Sequence, residues 1–213
     1  MQNVISLLNS LRASLLKQPS SITLFETIKC EDGTISNLTY HQKRCNESRK
    51  ELYKTTDTLD LASVIIPPKN GLYRCRIIYA NHIKSIEYIP YTAKKIDSLK
   101  VVSSSLDYHL KYTNRDVFNK LLALHDNVDE IIIEKEGYLT DTTIANIAFY
   151  DGEQWFTPSK PLLHGTMRQK LIDEGVLQTK EIKREALSKY SQVALINAMV
   201  GFKILNHFNI HYV

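Results

Sequence analysis

Lys111 sits in Leu110-Lys111-Tyr112-Thr113-Asn114-Arg115, flanked by apolar side chains just ahead of a predicted helix. A lysine buried in such company gives up its ammonium proton more easily, and the free amine can form an imine with a carbonyl compound. On its own this arrangement describes a surface lysine far more often than a nucleophile. A second stretch adds two groups. Within Glu136-Gly137-Tyr138-Leu139-Thr140-Asp141-Thr142-Thr143-Ile144-Ala145-Asn146-Ile147, Asp141 is a carboxylate among hydroxyls at the mouth of a strand. Further on, Leu163-His164-Gly165-Thr166-Met167-Arg168 is a small-residue turn opening a helix, where backbone N–H groups and the helix dipole favour a phosphate. The chain therefore offers an amine, a carboxylate and an anion-binding helix end.

Other chemistries find no support. The sequence has no G-x-G-x-x-G, no Walker loop and no G-x-S-x-G elbow. His207 and His211 are four apart, but with no acidic neighbour in sequence they read as surface or packing histidines rather than metal ligands. Cys30, Cys45 and Cys75 are odd in number and lack metal-ligand spacing. They are expected to be reduced thiols in a cytoplasmic protein, and no metal is expected.

The elements that must position these groups can be read from periodicity. Val4, Ile5, Leu7, Leu8, Leu11 and Leu15 recur at helical spacing, and Pro19-Ser20-Ser21 breaks the predicted helix. Ile22 to Cys30 alternates as a strand, with a turn at Glu31-Asp32-Gly33. A helix is predicted from Leu38-Thr39 to about Tyr53, capped by Thr39. Pro67-Pro68 and Asn70-Gly71 mark a loop. Leu72 to Tyr79 and Ile83 to Tyr91 form a hairpin around Ala80-Asn81-His82, with Arg74 and Arg76 on one face. Further strands are predicted at Leu99 to Ser103, Glu130 to Lys135, Ile144 to Tyr150, Gln154 to Thr157 and Val193 to Asn197. Helices are predicted at Arg115 to His125 and Thr166 to Glu174.

No regular βαβ rhythm connects them, so the expected class is α+β. Residues 93–98, within a polar, lysine-bearing stretch, read as a linker between an N-terminal domain at 1–92 and a C-terminal domain at 99–213. With 43% apolar residues, 213 residues suffice for a buried core. The net charge of +4 is mild, and no basic run suggests a nucleic-acid tail. The N-terminal stretch lacks a basic n-region and a small-residue cleavage site, and nothing reaches transmembrane length, so a soluble protein with no membrane partner is expected.

The succession K-x-x-N-R (Lys111, Asn114, Arg115), T-[DE]-x-x-x-x-N-[IL] around Asp141 and Asn146, T-P at Thr157-Pro158 and G-x-x-R at Gly165 to Arg168 resembles the fold-type IV pyridoxal-phosphate enzymes. That group contains the class IV aminotransferases and the 4-amino-4-deoxychorismate lyases. Leu24-Phe25-Glu26-Thr27-Ile28 and His41-Gln42-Lys43-Arg44 are similar to the group's F-E-T strand and H-x-x-R helix. Ile196-Asn197-Ala198-Met199 is similar to its last phosphate-side segment. The resemblance runs from about Leu24 to Phe202, and the lysine-to-asparagine spacing is most like the lyase branch.

The resemblance implies a smaller N-terminal α/β half and a C-terminal β-rich pseudo-barrel half, as in D-amino-acid aminotransferases, with pyridoxal 5'-phosphate in the cleft between them. It implies a homodimer. Lys111 would carry the cofactor as a Schiff base and move the proton. Arg44 would bind the phosphate, together with Gly165, Thr166, Met167, Asn197 and Ala198. Asp141, with Thr142 beside it, would pair with the pyridine nitrogen. Thr27, Arg74 and Arg76 would face an anionic small-molecule substrate.

Three departures qualify the match. The pyridine partner is Asp141 where the group usually has glutamate. Pro19 to Thr23 replaces the usual D-R-G and G-D-G entry. The arginine that clamps a substrate carboxylate in the lyases has no clear counterpart, which leaves Arg74 and Arg76 as candidates. The implied activity is release of p-aminobenzoate and pyruvate in folate biosynthesis. The alternatives are an aminotransferase acting on D- or branched-chain amino acids, and a non-catalytic binding protein that keeps the fold.

Overall fold

The computed structural model describes residues 22–205 and 209–211. The predicted N-terminal helix, the Pro19-Ser20-Ser21 break and His207 lie outside them, as does the side chain of His211.

Strand β1 (Leu24–Glu31) shows why the first sheet forms. Leu24, Glu26, Ile28 and Cys30 are buried on one face, while Phe25, Thr27 and Lys29 take the other. Asp32 and Gly33, both with positive φ (47° and 78°), turn the chain into β2 (Thr34–Ile35). Helix α1 (Leu38–Tyr53) follows and lies on the buried face. Thr39 is not its cap. Asn37, in the left-handed conformation its short side chain tolerates, turns the chain at that end, and no side-chain capping bond forms. The hairpin β3 (Leu72–Tyr79) and β4 (Ile83–Pro90) completes an antiparallel sheet of order β2-β1-β3-β4. Its core includes Leu24, Ile28, Ile77, Tyr79 and all three cysteines, which are free thiols. Burial pushes the Cys45 thiol up to about 12, so it is chemically quiet.

The second sheet starts at β5 (Ser98–Ser103), which runs parallel to β6 (Glu130–Lys135). Helix α2 (Asp116–Ala123) lies on the crossover between them. The antiparallel strands β7 (Tyr138–Thr142), β8 (Asn146–Tyr150) and β9 (Trp155–Pro158) continue the sheet, and β10 (Leu177–Lys180) joins β9 in parallel. Helix α3 (Thr166–Asp173) lies between β9 and β10 in sequence, and a 3-10 turn at Arg184–Lys189 precedes β11 (Gln192–Asn197). Strand β11 pairs with β8 and with β12 (Gly201–Ile204), while β13 (Asn209–His211) pairs with β5. Ile132, Ile147, Phe149 and Leu195 anchor this core.

Few helices against two large sheets make the α+β class the observed one. The strands and helices predicted on the described residues agree to within about two residues at each end. Strands β2, β7, β10, β12 and β13 were not foreseen. Strand β7 buries Thr140, Asp141 and Thr142 side by side, so its polar run hides any apolar alternation. Only Leu177 of β10 is buried. Between the sheets, Asp129 fixes the chain: its Oδ2 accepts from the Asp97 and Ser98 amides and the Ser98 hydroxyl, each at 2.9 Å. No helix among the described residues is long and apolar enough to cross a membrane.

Candidate active site

A cleft of about 530 Å³ opens between the two sheets. One wall is the face of β1 and β3 that carries Phe25, Thr27, Arg74 and Arg76, opposite the core face. Thr27 and Arg76 are register partners there, as are Lys29 and Arg74, so Phe25, Thr27, Arg74 and Arg76 all line the cleft. The facing wall is the β7–β8 turn, the head of α3 and the end of β11.

Lys111 enters on a segment zipped to β1. The Phe25 amide donates to the Lys111 carbonyl at 2.9 Å, Leu24 pairs with Tyr112, and the Thr113 amide donates to the Thr23 carbonyl at 2.9 Å. The Lys111 ammonium lies over the Phe25 ring, 4.5 Å from its centre. Loss of water around the amine, reinforced by repulsion from Arg44, Arg115 and Arg76 and opposed by Glu26, lowers its pKa to about 7. Much of it is therefore neutral near pH 7, as a nucleophilic amine must be.

Behind Lys111 lies a buried polar knot. Glu26 occupies a core position of β1 and is fully buried. Its carboxylate accepts from Arg44 Nε at 2.9 Å and Nη2 at 2.5 Å, and from His41 Nδ1 at 2.6 Å. Burial alone would raise the Glu26 pKa, but the Arg44 charge and these bonds outweigh it and hold the pKa at about 2. His41 and Arg44 are three apart on α1, hence on the same face. His41 Nε2 meets Thr166 Oγ1 at 3.3 Å at the head of α3. Arg44 spends its fork on Glu26, so only its outer edge, where Nη1 reaches the His164 carbonyl at 3.3 Å, faces the cleft.

Asp141 is buried, and its carboxylate is held at both oxygens. Asn146 Nδ2 donates to Oδ1 at 2.7 Å, and the Leu163 amide donates to Oδ2 at 2.9 Å. Burial raises its pKa to about 6 against these bonds and the charge of Arg168. Asn146 also donates to the Leu163 carbonyl at 2.8 Å. Arg168, buried, donates to the Thr157 hydroxyl and the Pro158 carbonyl, tying α3 to the end of β9.

The β7–β8 turn is built by Thr142, whose hydroxyl accepts from the Ala145 amide at 3.0 Å. Fully buried Glu130 holds the turn from beneath, accepting from the Thr143 amide at 3.2 Å and hydroxyl at 2.9 Å. Arg115 donates to the Thr143 carbonyl while its guanidinium stacks on Phe118 at 4.7 Å. Asn197 Oδ1 accepts from the Met199 and Val200 amides, shaping the turn that places Ala198 against the cleft.

Lys111, Arg44, Asp141, Thr142, Gly165, Thr166, Asn197, Ala198, Thr27, Arg74 and Arg76 thus share one cleft. Met167 does not line it; its side chain packs with Ala148, Leu171 and Ile196, so only its backbone is placed to contribute. Sequence reasoning assigned no role to Glu26, His41, Glu130, Asn146 or Arg115. Glu26 did carry a signal: an acid standing where the alternation of β1 demands an apolar residue. The donor set fits pyridoxal phosphate. Lys111 offers an amine to an aldehyde, Arg44 and the head of α3 offer a phosphate site, and Asp141 offers a carboxylate to a ring nitrogen.

Residues 74–205 match the family described as Amino-transferase class IV. An uncharacterized protein of Haemophilus influenzae is 38% identical over 184 residues, spanning 84% of this chain and 98% of its own. A solved structure of a "putative 4-amino-4-deoxychorismate lyase" from Haemophilus somnus superposes with a TM-score of 0.79 at 39% identity, covering 84% of this chain and 97% of that one. A hypothetical aminotransferase from Mycobacterium tuberculosis in its PLP-bound form shares the fold, with a TM-score of 0.72 at 16% identity over 91% of this chain and 84% of that one. With its site built on these motifs and the family matched over more than half its length, the chain belongs to the class IV aminotransferases.

Proposed function

We propose that the protein is a pyridoxal-phosphate-dependent 4-amino-4-deoxychorismate lyase, releasing p-aminobenzoate and pyruvate. The observation that carries this reading is the charge of the cleft. Arg74, Arg76 and Arg115 all line it, and among the described residues none of them is paired with a carboxylate. The Nε of Arg74 is buried without a hydrogen-bond partner. Half-buried cations without a carboxylate partner suit a substrate with two carboxylates better than one with an apolar side chain. The likeness to the Haemophilus somnus protein supports the same reading.

Bound in the cleft, pyridoxal phosphate supplies an electron sink for the charge left when the carbon bearing the substrate nitrogen loses a proton. Lys111, neutral near pH 7, is the amine that would hold the cofactor at its aldehyde and the base placed to take that proton. Asp141, fixed by Asn146 and Leu163, is the carboxylate that would keep a proton on the ring nitrogen. Arg44 and the backbone at Gly165, Thr166 and Met167 hold the phosphate, with Asn197 and Ala198 closing that side. Arg74, Arg76 and Thr27, joined by Arg115, orient the substrate carboxylates. The enolpyruvyl C–O bond then breaks, the enol takes up a proton as pyruvate, and the ring becomes aromatic. On this reading the chain divides into domains at 1–92 and 99–213, and the active protein is a homodimer of the cytoplasm.

The test is to incubate pyridoxal-phosphate-loaded protein with aminodeoxychorismate and assay p-aminobenzoate and pyruvate together. Equal amounts of both, lost in Lys111→Ala, are expected. If neither forms, and a keto acid instead accepts the amino group of a D- or branched-chain amino acid, the aminotransferase reading replaces it.

A further inference from the structure

Ionised Glu26 fixes the proton on His41. A carboxylate only accepts, so the 2.6 Å contact to His41 Nδ1 places a hydrogen on that nitrogen. Neutral His41 then presents a bare Nε2 to the head of α3, and the Thr166 hydroxyl, 3.3 Å away, must donate to it. A hydroxyl has one proton. Committed to His41, Thr166 Oγ1 turns only lone pairs toward the cleft it lines, and these repel an anion. A proton on Nε2 reverses the bond and frees the Thr166 O–H to donate outward.

We propose that the Thr166 hydroxyl turns to a bound phosphate only when His41 is protonated, so that anion binding at the head of α3 takes up a proton on His41. The proposal rests on the assignment of that helix end as the phosphate site. His41 acts through Thr166 and is a positioning residue. The groups facing it are Glu26 from β1, Arg44 on its own helix, Lys111 from the segment before α2 and Thr166 from α3. Burial first, then Arg44 and Lys111, favours the neutral ring in the free protein, while Glu26 favours the charged one. An anion beside Arg44 offsets its repulsion and joins the Glu26 attraction in opposing the burial that keeps the ring neutral.

The test uses the full-length apoprotein uniformly labelled with 15N, titrated with sodium sulfate at pH 7.5, where sulfate itself does not titrate. The His41 signals are assigned by their loss in His41→Gln. The expected result is that Nε2 moves from the unprotonated to the protonated range as sulfate saturates the site and the Thr166 amide shifts. In Thr166→Val, which keeps the backbone N–H groups, sulfate should bind about tenfold more weakly and leave Nε2 unprotonated. This variant also serves should His41→Gln fail to fold. Saturation by sulfate with Nε2 unprotonated in the parent protein overturns the proposal while leaving the phosphate site intact. A Thr166 amide that does not respond to sulfate overturns the phosphate site as well.

Discussion

Asn146 Nδ2 donates to Asp141 Oδ1 at 2.7 Å, and the other end of the same amide, Oδ1, lies 1.9 Å from where a β-carbon on Gly165 would fall. One side chain therefore fixes the carboxylate and reserves the space that brings α3 close to β8. Gly165 is at φ −69°, a conformation open to any residue, so the requirement is one of room and not of backbone freedom.

Gly165→Ala should force Asn146 off both its bonds, to Asp141 and to the Leu163 carbonyl. Overpacking of this kind costs about 1–3 kcal/mol. Thermal unfolding should show a lower midpoint, and Asn146→Ser in the same chain should recover part of the loss.

Glu26→Gln should leave the mostly buried Arg44 without its counter-charge and His41 Nδ1 without its carboxylate acceptor, at a cost of about 3–5 kcal/mol. The parent protein carries the matching pH signature. The folded Glu26 pKa of about 2 lies below its unfolded value, so its contribution is fully present above pH 4.5 and is lost as the pH falls toward 2. Urea unfolding between pH 6 and pH 3 should show a steeper loss of stability in the parent than in Glu26→Gln.

Lys111 works in the opposite direction. Its folded pKa of about 7 lies below that of the unfolded chain, so the unfolded state binds more protons between pH 7 and about 10.5, and stability rises with pH across that window. Lys111→Met should raise the urea midpoint of the cofactor-free protein at pH 6 and raise it less at pH 9. An equal gain at both values would place the amine in water.

Arg74→Ala and Arg76→Ala should each raise KM for a dicarboxylate substrate by about 10- to 100-fold, the worth of a charge-assisted hydrogen bond, with a smaller effect on kcat. Steady-state kinetics would separate the two parameters. An unchanged KM in both variants would remove β3 from the substrate wall.

How far the sequence led is seen in individual residues. Lys111, Arg44, Asp141 and Thr166 were legible because each sits in a short motif whose order along the chain is informative. The hairpin of β3 and β4 was legible because apolar alternation and Asn-Gly punctuation coincide there. Strand β7 was not, because its buried residues are threonines and an aspartate, held by hydrogen bonds rather than by apolar burial. Thr39 misled because a good capping residue stood one place inside a helix that Asn37 had already begun with a left-handed turn. The dual use of Asn146 depends on two segments approaching in space, and no local pattern encodes that.

The pairing of β1 with residues 111–113 also bears on synthesis. The strands of the first sheet and α1 are complete by Tyr91, but their core also takes in Leu110 and packs against Tyr112. Until Lys111 to Thr113 emerge, the start of β1 keeps an unsatisfied edge, the kind of surface that recruits foreign strands. The segment that delivers the reactive amine thus also closes the core and the edge of the nascent N-terminal half, and a ribosome stalled before residue 111 would release a fragment with an open core and an adhesive strand edge.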